Sequence, residues 1–167
     1  MAKSNALNIL KNAIFMERQG KHLYETARDK ADDRAVKDFF QELANEETDH
    51  IAILEMQFKA FKETGQFVHG RYDADGEAGQ APQILNAAVK EKINAAGFEA
   101  TAITAAIGFE ERAVELYGLR AQEAEDPEEK SLYTWLADWE RTHLKQLLAL
   151  QESLMEKIWE DNAFWPF

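Results

Sequence analysis

The chain contains no cysteine. That removes disulfides, thiolate metal sites, iron–sulfur clusters and a cysteine nucleophile at once. Proline and glycine are scarce, at 3 and 8 residues, which argues against collagen-like, low-complexity and turn-rich all-β chains. Positive charge is in short supply: 19 Lys and Arg against 31 Asp and Glu leave a net charge of −12. So acidic a chain is expected to bind neither nucleic acid nor an anionic membrane surface, and to attract cations. No stretch approaches the ~18 apolar residues of a membrane span. The opening Met1–Ala13 shows no signal-peptide pattern, so a cytoplasmic location is the default expectation. What remains is 167 residues, 46% of them apolar, enough to bury one ordinary core and too apolar for disorder.

Pro82, Pro127 and Pro166 punctuate a sequence whose pattern is otherwise helical. Leu7, Leu10, Ile14, Glu17 and Tyr24 share a stripe of a first helix over about 4–29. Asp32 or Asp33 can cap a second helix that runs to about Thr64, with the seam Val36, Phe40, Leu43, Glu47, His50, Leu54, Phe58 and Phe61. Gly65 ends it, and 65–81 reads as a long surface connection. A short helix is expected over about 82–95, interrupted at Gly97. A third long helix spans about Phe98 to Glu123, with the stripe Ile103, Ile107, Glu110, Val114 and Tyr117. Asp126-Pro127-Glu128-Glu129 is a strong helix start: Asp126 caps, Pro127 suits the first turn and Glu129 can complete a capping box. The fourth long helix, about 127–160, carries Tyr133, Leu136, Glu140, His143, Leu147, Leu150 and Leu154 on one face. The short links make each pair of long helices an antiparallel hairpin, and the long segment 65–97 can run the length of the bundle between them.

The sequence also repeats itself. A shift of 93 residues places Glu17 on Glu110, Tyr24 on Tyr117, Glu47 on Glu140 and His50 on His143, with Ala13-Ile14, Leu43-Ala44 and Leu54 matched as well. Shared packing explains the Leu and Ala matches. It does not explain Glu and His recurring at core positions. Glu47 and His50 are three residues apart, about 300° around a helix, and so lie side by side. Glu140 and His143 do the same. A buried, unpaired carboxylate costs several kcal/mol, and four converging ones repel. Two divalent cations would neutralise four carboxylates. The alternative is pairing with Lys21 and Arg28 near the inner edge of the first helix, with His50 and His143 as hydrogen-bonded core residues. Lys21 and Arg28 could pair one carboxylate, not four.

Glu17, Glu47-x-x-His50, Glu110 and Glu140-x-x-His143 resemble the di-iron carboxylate signature of the ferritin-like superfamily. Within it the tandem hairpins, with Tyr24 and Tyr117, look most like rubrerythrins over about 4–158. The resemblance implies an all-α, ferritin-like four-helix bundle made of two helical hairpins joined by a long crossover that contains a short helix. It implies one domain over 1–167: repeat halves at 4–64 and 98–158, crossover at 65–97, aromatic tail at 159–167. It implies two Fe ions, with Mn an alternative and Zn a substitute. Glu47 and Glu140 would bridge the metals, Glu17 and Glu110 would each hold one, and His50 and His143 one each. Tyr24 and Tyr117 would donate hydrogen bonds to carboxylates, or else simply pack the core. The implied activity is reduction of hydrogen peroxide or dioxygen, with electrons from an external donor protein, in a homodimer. Iron oxidation for uptake or storage is the rival, and a non-catalytic helical module with a structural metal is a third reading.

Two features depart from the family. Rubrerythrins usually carry a four-cysteine rubredoxin domain, and this chain has no cysteine. They also usually carry an extra Glu one turn before the third-helix ligand, where Ile107 stands here. This moves the expected centre toward greater symmetry. Among the remaining candidates, Trp135, Trp139 and Trp159 are expected to pack rather than relay electrons. His22 and His69 are expected on the surface, and Glu123–Glu129 as a solvated cluster. The tail Asn162–Phe167 is expected to fold onto its own bundle or a neighbour.

Overall fold

The computed structural model describes residues 2–70, 82–94 and 97–161. Five helices follow in order: α1 (Ala2–Lys30), α2 (Arg34–Thr64), α3 (Ala87–Lys92), α4 (Phe98–Glu123) and α5 (Pro127–Asp161), with no strand among the described residues. Links of three residues join α1 to α2 and α4 to α5, so each pair folds back as an antiparallel hairpin. The hairpins meet along α1 and α4, and α3 touches both α2 and α5. This is the one-crossover bundle that the sequence predicts. The aromatic tail from Asn162 lies outside the described residues.

Local chemistry sets the helix ends. Asp33 caps α2, its Oδ1 accepting from the Ala35 N–H at 2.7 Å. Gly65 closes the same helix at φ 77°, its N–H bonded to the Phe61 carbonyl, a left-handed conformation that a side chain would disfavour. Asp126 Oδ1 accepts from the Glu128 and Glu129 N–H groups at 2.8 and 3.3 Å, starting α5. Glu129 does not complete a capping box. Its carboxylate turns to Arg120 at 2.8 Å and is buried, 8% exposed, so the expected solvated cluster is paired at this member.

The short helix starts later than the sequence predicts. Residues 82–86 are not helical, and α3 begins only after Asn86, whose side chain accepts from the Val89 N–H at 3.1 Å. The cause lies on α5. Gln146 Oε1 takes the Ile84 and Leu85 N–H groups at 2.9 and 2.8 Å, and Gln146 Nε2 donates to the Pro82 carbonyl. A remote side chain therefore holds the backbone polar groups that a helical turn would otherwise need.

Two apolar layers fill the bundle. One gathers Tyr24, Val36, Phe40, Leu43, Ile103, Ile107, Leu147 and Leu150, with Leu85, Val89 and Ile93 of the crossover laid over it. The other gathers Leu10, Ala13, Leu54, Phe61, Tyr117, Leu132, Tyr133 and Leu136. On every long helix the carboxylates and imidazoles noted above fall between these two sets. Ile107 belongs to the first layer, so no carboxylate enters the centre from that turn.

Candidate metal centre

Four helices each present acidic or imidazole side chains to the level between the apolar layers. Glu17, Glu47, His50, Glu110, Glu140 and His143 are all buried, none more than 4% exposed. They form two clusters whose ligand atoms lie within 4.8 Å of one another: Glu17, Glu47, His50 and Glu140, and Glu47, Glu110, Glu140 and His143. Glu47 and Glu140 belong to both, and their oxygens divide between them. Glu140 Oε1 lies 3.0 Å from His50 Nδ1, and Glu140 Oε2 lies 3.0 Å from His143 Nδ1. Glu47 Oε2 and Oε1 face the same two nitrogens, each at 3.7 Å. Glu17 Oε2 adds to the His50 side at 3.2 Å, and Glu110 Oε1 to the His143 side at 3.6 Å.

Pairing with basic side chains does not account for this layer. Lys21 lies 4.0 Å from Glu25, and Arg28 contacts Asp29 and Gln41. The approaches among the six residues are short, yet their directions leave both Glu140 oxygens and His143 Nδ1 buried without a hydrogen-bond partner among the described residues. Orphaned acceptors deep in a core are costly. Oxygen and imidazole donors converging on two points are what a pair of hard or borderline divalent cations requires, so the residues fit such a pair.

Two tyrosines brace the cluster across the hairpins. The Tyr24 hydroxyl donates to Glu110 Oε1 and the Tyr117 hydroxyl to Glu17 Oε1. Each half of the repeat therefore braces a buried glutamate of the other. Burial, reinforced by Glu110 beside Tyr24 and Glu17 beside Tyr117, pushes both phenols well above their usual range, so they stay donors.

The electrostatics among the protein's own groups follow from crowding. Burial, then the Glu17 and Glu140 carboxylates, pushes Glu47 well up. Burial and Glu140 raise Glu110 to about 8, against the opposing pull of His143. Burial pushes Glu140 up as well, but His50 and His143 outweigh it and hold the group below the usual carboxylate range. Burial alone would lower both histidines. The Glu140 carboxylate above all for His50, and Glu110, Glu140 and Glu46 for His143, raise them instead.

One face of the centre borders a small cavity. Four pairs of repeat mates line it between α1 and α4: Met16 with Phe109, Glu17 with Glu110, Gly20 with Ala113, and Glu47 with Glu140. The cavity is about 10 Å³, near the least that holds one water. Gly20 makes the room, because a Cβ there would rest 3.7 Å from Glu47 Cδ and 3.8 Å from Phe109 Cδ1. The opposite face is walled by indoles. Trp135 and Trp139 set their rings edge-on to His50, with centroids 5.4 and 5.6 Å away.

Glu46 was not among the residues singled out from the sequence. It is buried at 7% exposure, and its Oε2 receives the Trp139 Nε1–H at 2.6 Å and lies 2.5 Å from His143 Nε2. The repeat held the signal: the shift that superposes the ligands places Glu46 on Trp139, a mismatch beside matched residues. Trp139 therefore packs as expected and also carries a polar contact into the site. His22 and His69 are exposed, and His69 pairs with Glu128 on the surface.

The model of the rubrerythrin family matches residues 8–151. Among solved structures, a hypothetical protein from Pyrococcus furiosus has a TM-score of 0.68 at 25% identity, over 93% of this chain and 94% of that one. A two-domain protein from Anabaena variabilis, containing DJ-1/ThiJ/PfpI-like and ferritin-like domains, has a TM-score of 0.63 at 18% identity. That match covers 90% of this chain but 40% of the other, so this chain spans less than half of that protein, and the likeness is one of fold. Among curated proteins none matches the chain. No helix among the described residues is long and apolar enough to cross a membrane.

Proposed function

The chain belongs to the rubrerythrin family, and from that membership together with its buried acids we propose that it is a non-haem di-iron redox protein that reduces hydrogen peroxide or dioxygen. One observation carries the reading: two clusters of donors share Glu47 and Glu140, one oxygen of each facing either histidine. Glu17 and His50 would complete the shell of one iron, Glu110 and His143 that of the other. Such a pair, bound as ferrous ions, would supply the two electrons that, with two protons, take hydrogen peroxide to two waters.

The protein's own groups do the rest. The Tyr24 and Tyr117 hydroxyls hold Glu110 and Glu17 in one orientation, so the shell need not reorganise when charge changes. The narrow space beside Gly20 has room for about one water, so that side of the centre admits only the smallest molecules. The indole wall keeps water from the other face. The chain has no cysteine to hold a rubredoxin-type centre, so a separate donor returns the electrons. Manganese suits the same donors, and zinc would fill them without redox chemistry.

The test begins with metal-free protein loaded anaerobically with ferrous ion. Two ions per chain are expected. Peroxide and, in a separate sample, oxygen are then added, with ferrous loss followed by Mössbauer spectroscopy and near-ultraviolet absorption. Prompt oxidation by at least one oxidant is expected. If neither acts, the redox reading fails. A large hollow assembly on size exclusion would shift the reading to iron storage.

A further inference from the structure

The six candidate ligands obey the internal repeat, but the groups behind the two histidines do not. His143 Nε2 lies 2.5 Å from Glu46 Oε2 in a buried contact. At the mate of Glu46 stands Trp139, so His50 meets rings at the corresponding place, and its buried Nε2 has no hydrogen-bond partner among the described residues. The same Trp139 donates Nε1–H to Glu46 Oε2 at 2.6 Å. One unlike pair thus does two things: it removes the acceptor behind one histidine and anchors the acceptor behind the other.

From this contrast we propose that Glu46 is a positioning residue that makes the two metal positions unequal, so that the ion at His143 is bound first and more tightly. The inference rests on the di-metal reading above. A carboxylate accepting the Nε2–H of His143 fixes the ring so that the Nδ1 lone pair would serve a cation held among Glu110, Glu140 and that nitrogen, and makes the nitrogen a stronger donor. It also places a buried carboxyl group behind that position. His50 has neither aid, and its ring is set by packing against Trp135 and Trp139. Glu46 Oε1 is itself buried without a hydrogen-bond partner among the described residues, a burden on the fold. The centre is symmetric in its ligands and asymmetric in their support.

Two like cations in adjacent positions repel, so a stepwise titration alone would not distinguish an equal pair from an unequal one. The location of the first ion does. Metal-free protein is given one equivalent of Co²⁺ per chain, and anomalous scattering locates the ion. It is expected at His143 and Glu110, with little at His50 and Glu17. Visible absorption during the titration then gives the strength of each step. Glu46→Ala is expected to weaken the first step roughly 10–100-fold, the usual cost of losing such a partner, and to spread the first equivalent over both positions. Glu46→Asp is expected to restore part of the preference. Trp139→Phe keeps the ring but removes the anchor, and is expected to weaken the first step less than Glu46→Ala does. It serves as the second probe should Glu46→Ala fail to fold. A first ion found at His50, equal occupancy in the unmodified protein, or a preference untouched by both Glu46→Ala and Trp139→Phe would overturn the proposal while leaving the di-metal reading intact. No Co²⁺ bound in either position would overturn both.

Discussion

At the scale of single residues, the centre is a problem of holding carboxylates still. Tyr24 and Tyr117 are fully buried and each spends its hydroxyl on a terminal Glu of the opposite hairpin. Removing either hydroxyl frees a carboxylate without opening a large cavity. Tyr24→Phe is therefore expected to weaken binding of a divalent ion roughly tenfold, the low end for a lost outer partner, and Tyr117→Phe to do the same. Competition against a chromogenic chelator measures both. A silent substitution at both positions would show that the rings only pack. The six acidic and imidazole residues were legible because they break an apolar stripe at helical spacing and recur after 93 residues. Glu46 was not, because it precedes Glu47 by one residue and so points about 100° away from the seam. Its value depends on what α5 brings opposite, here His143 and Trp139.

Among the elements, the long helices were legible end to end. Asp33, Gly65 and Asp126 act through their own neighbours in sequence, so local chemistry sufficed to place α2 and the start of α5. The crossover departs from its local sequence signals because its conformation is decided from afar. Gln146 is 2% exposed and holds residues 82–85 through both ends of its amide. Pro82 looks like a helix start only if that clamp is ignored. Gln146→Leu keeps the bulk but strands the Ile84 and Leu85 N–H groups, one of them buried. It is expected to cost about 2 kcal/mol, the usual penalty for unpaired buried donors. Urea unfolding measures the loss. Hydrogen exchange should localise it, with the Leu85 amide losing protection while the α2 and α4 amides keep theirs. A uniform loss of protection would argue that Gln146 supports the bundle as a whole.

For the whole molecule, the central question is how a net charge of −12 coexists with acids at the core. In the metal-free chain the answer is retained protons. Glu110 is raised to about 8 and Glu47 well above the usual carboxylate range. His50 and His143 are raised as well, the carboxylates outweighing burial. A folded state that holds these protons more tightly than the unfolded chain loses stability as pH rises through the folded values. For Glu110 that loss begins above the ordinary carboxylate value of 4.5 and is complete a little above 8, and for the histidines it begins above 6.5. Glu140, held low by the histidines, acts oppositely, its contribution present in full above 4.5 and lost progressively as pH falls below that. The midpoint of thermal unfolding of metal-free protein is therefore expected to fall by several degrees between pH 6 and about 8.5. Bound divalent ions replace those protons, so the loaded protein should unfold at higher temperature and lose the downward slope. Scanning calorimetry on both forms across that range checks the sign. A metal-free protein that gains stability toward pH 8.5 would mean that the acids are already ionised and compensated by something other than protons, and the charge argument for a paired metal centre would lose its footing.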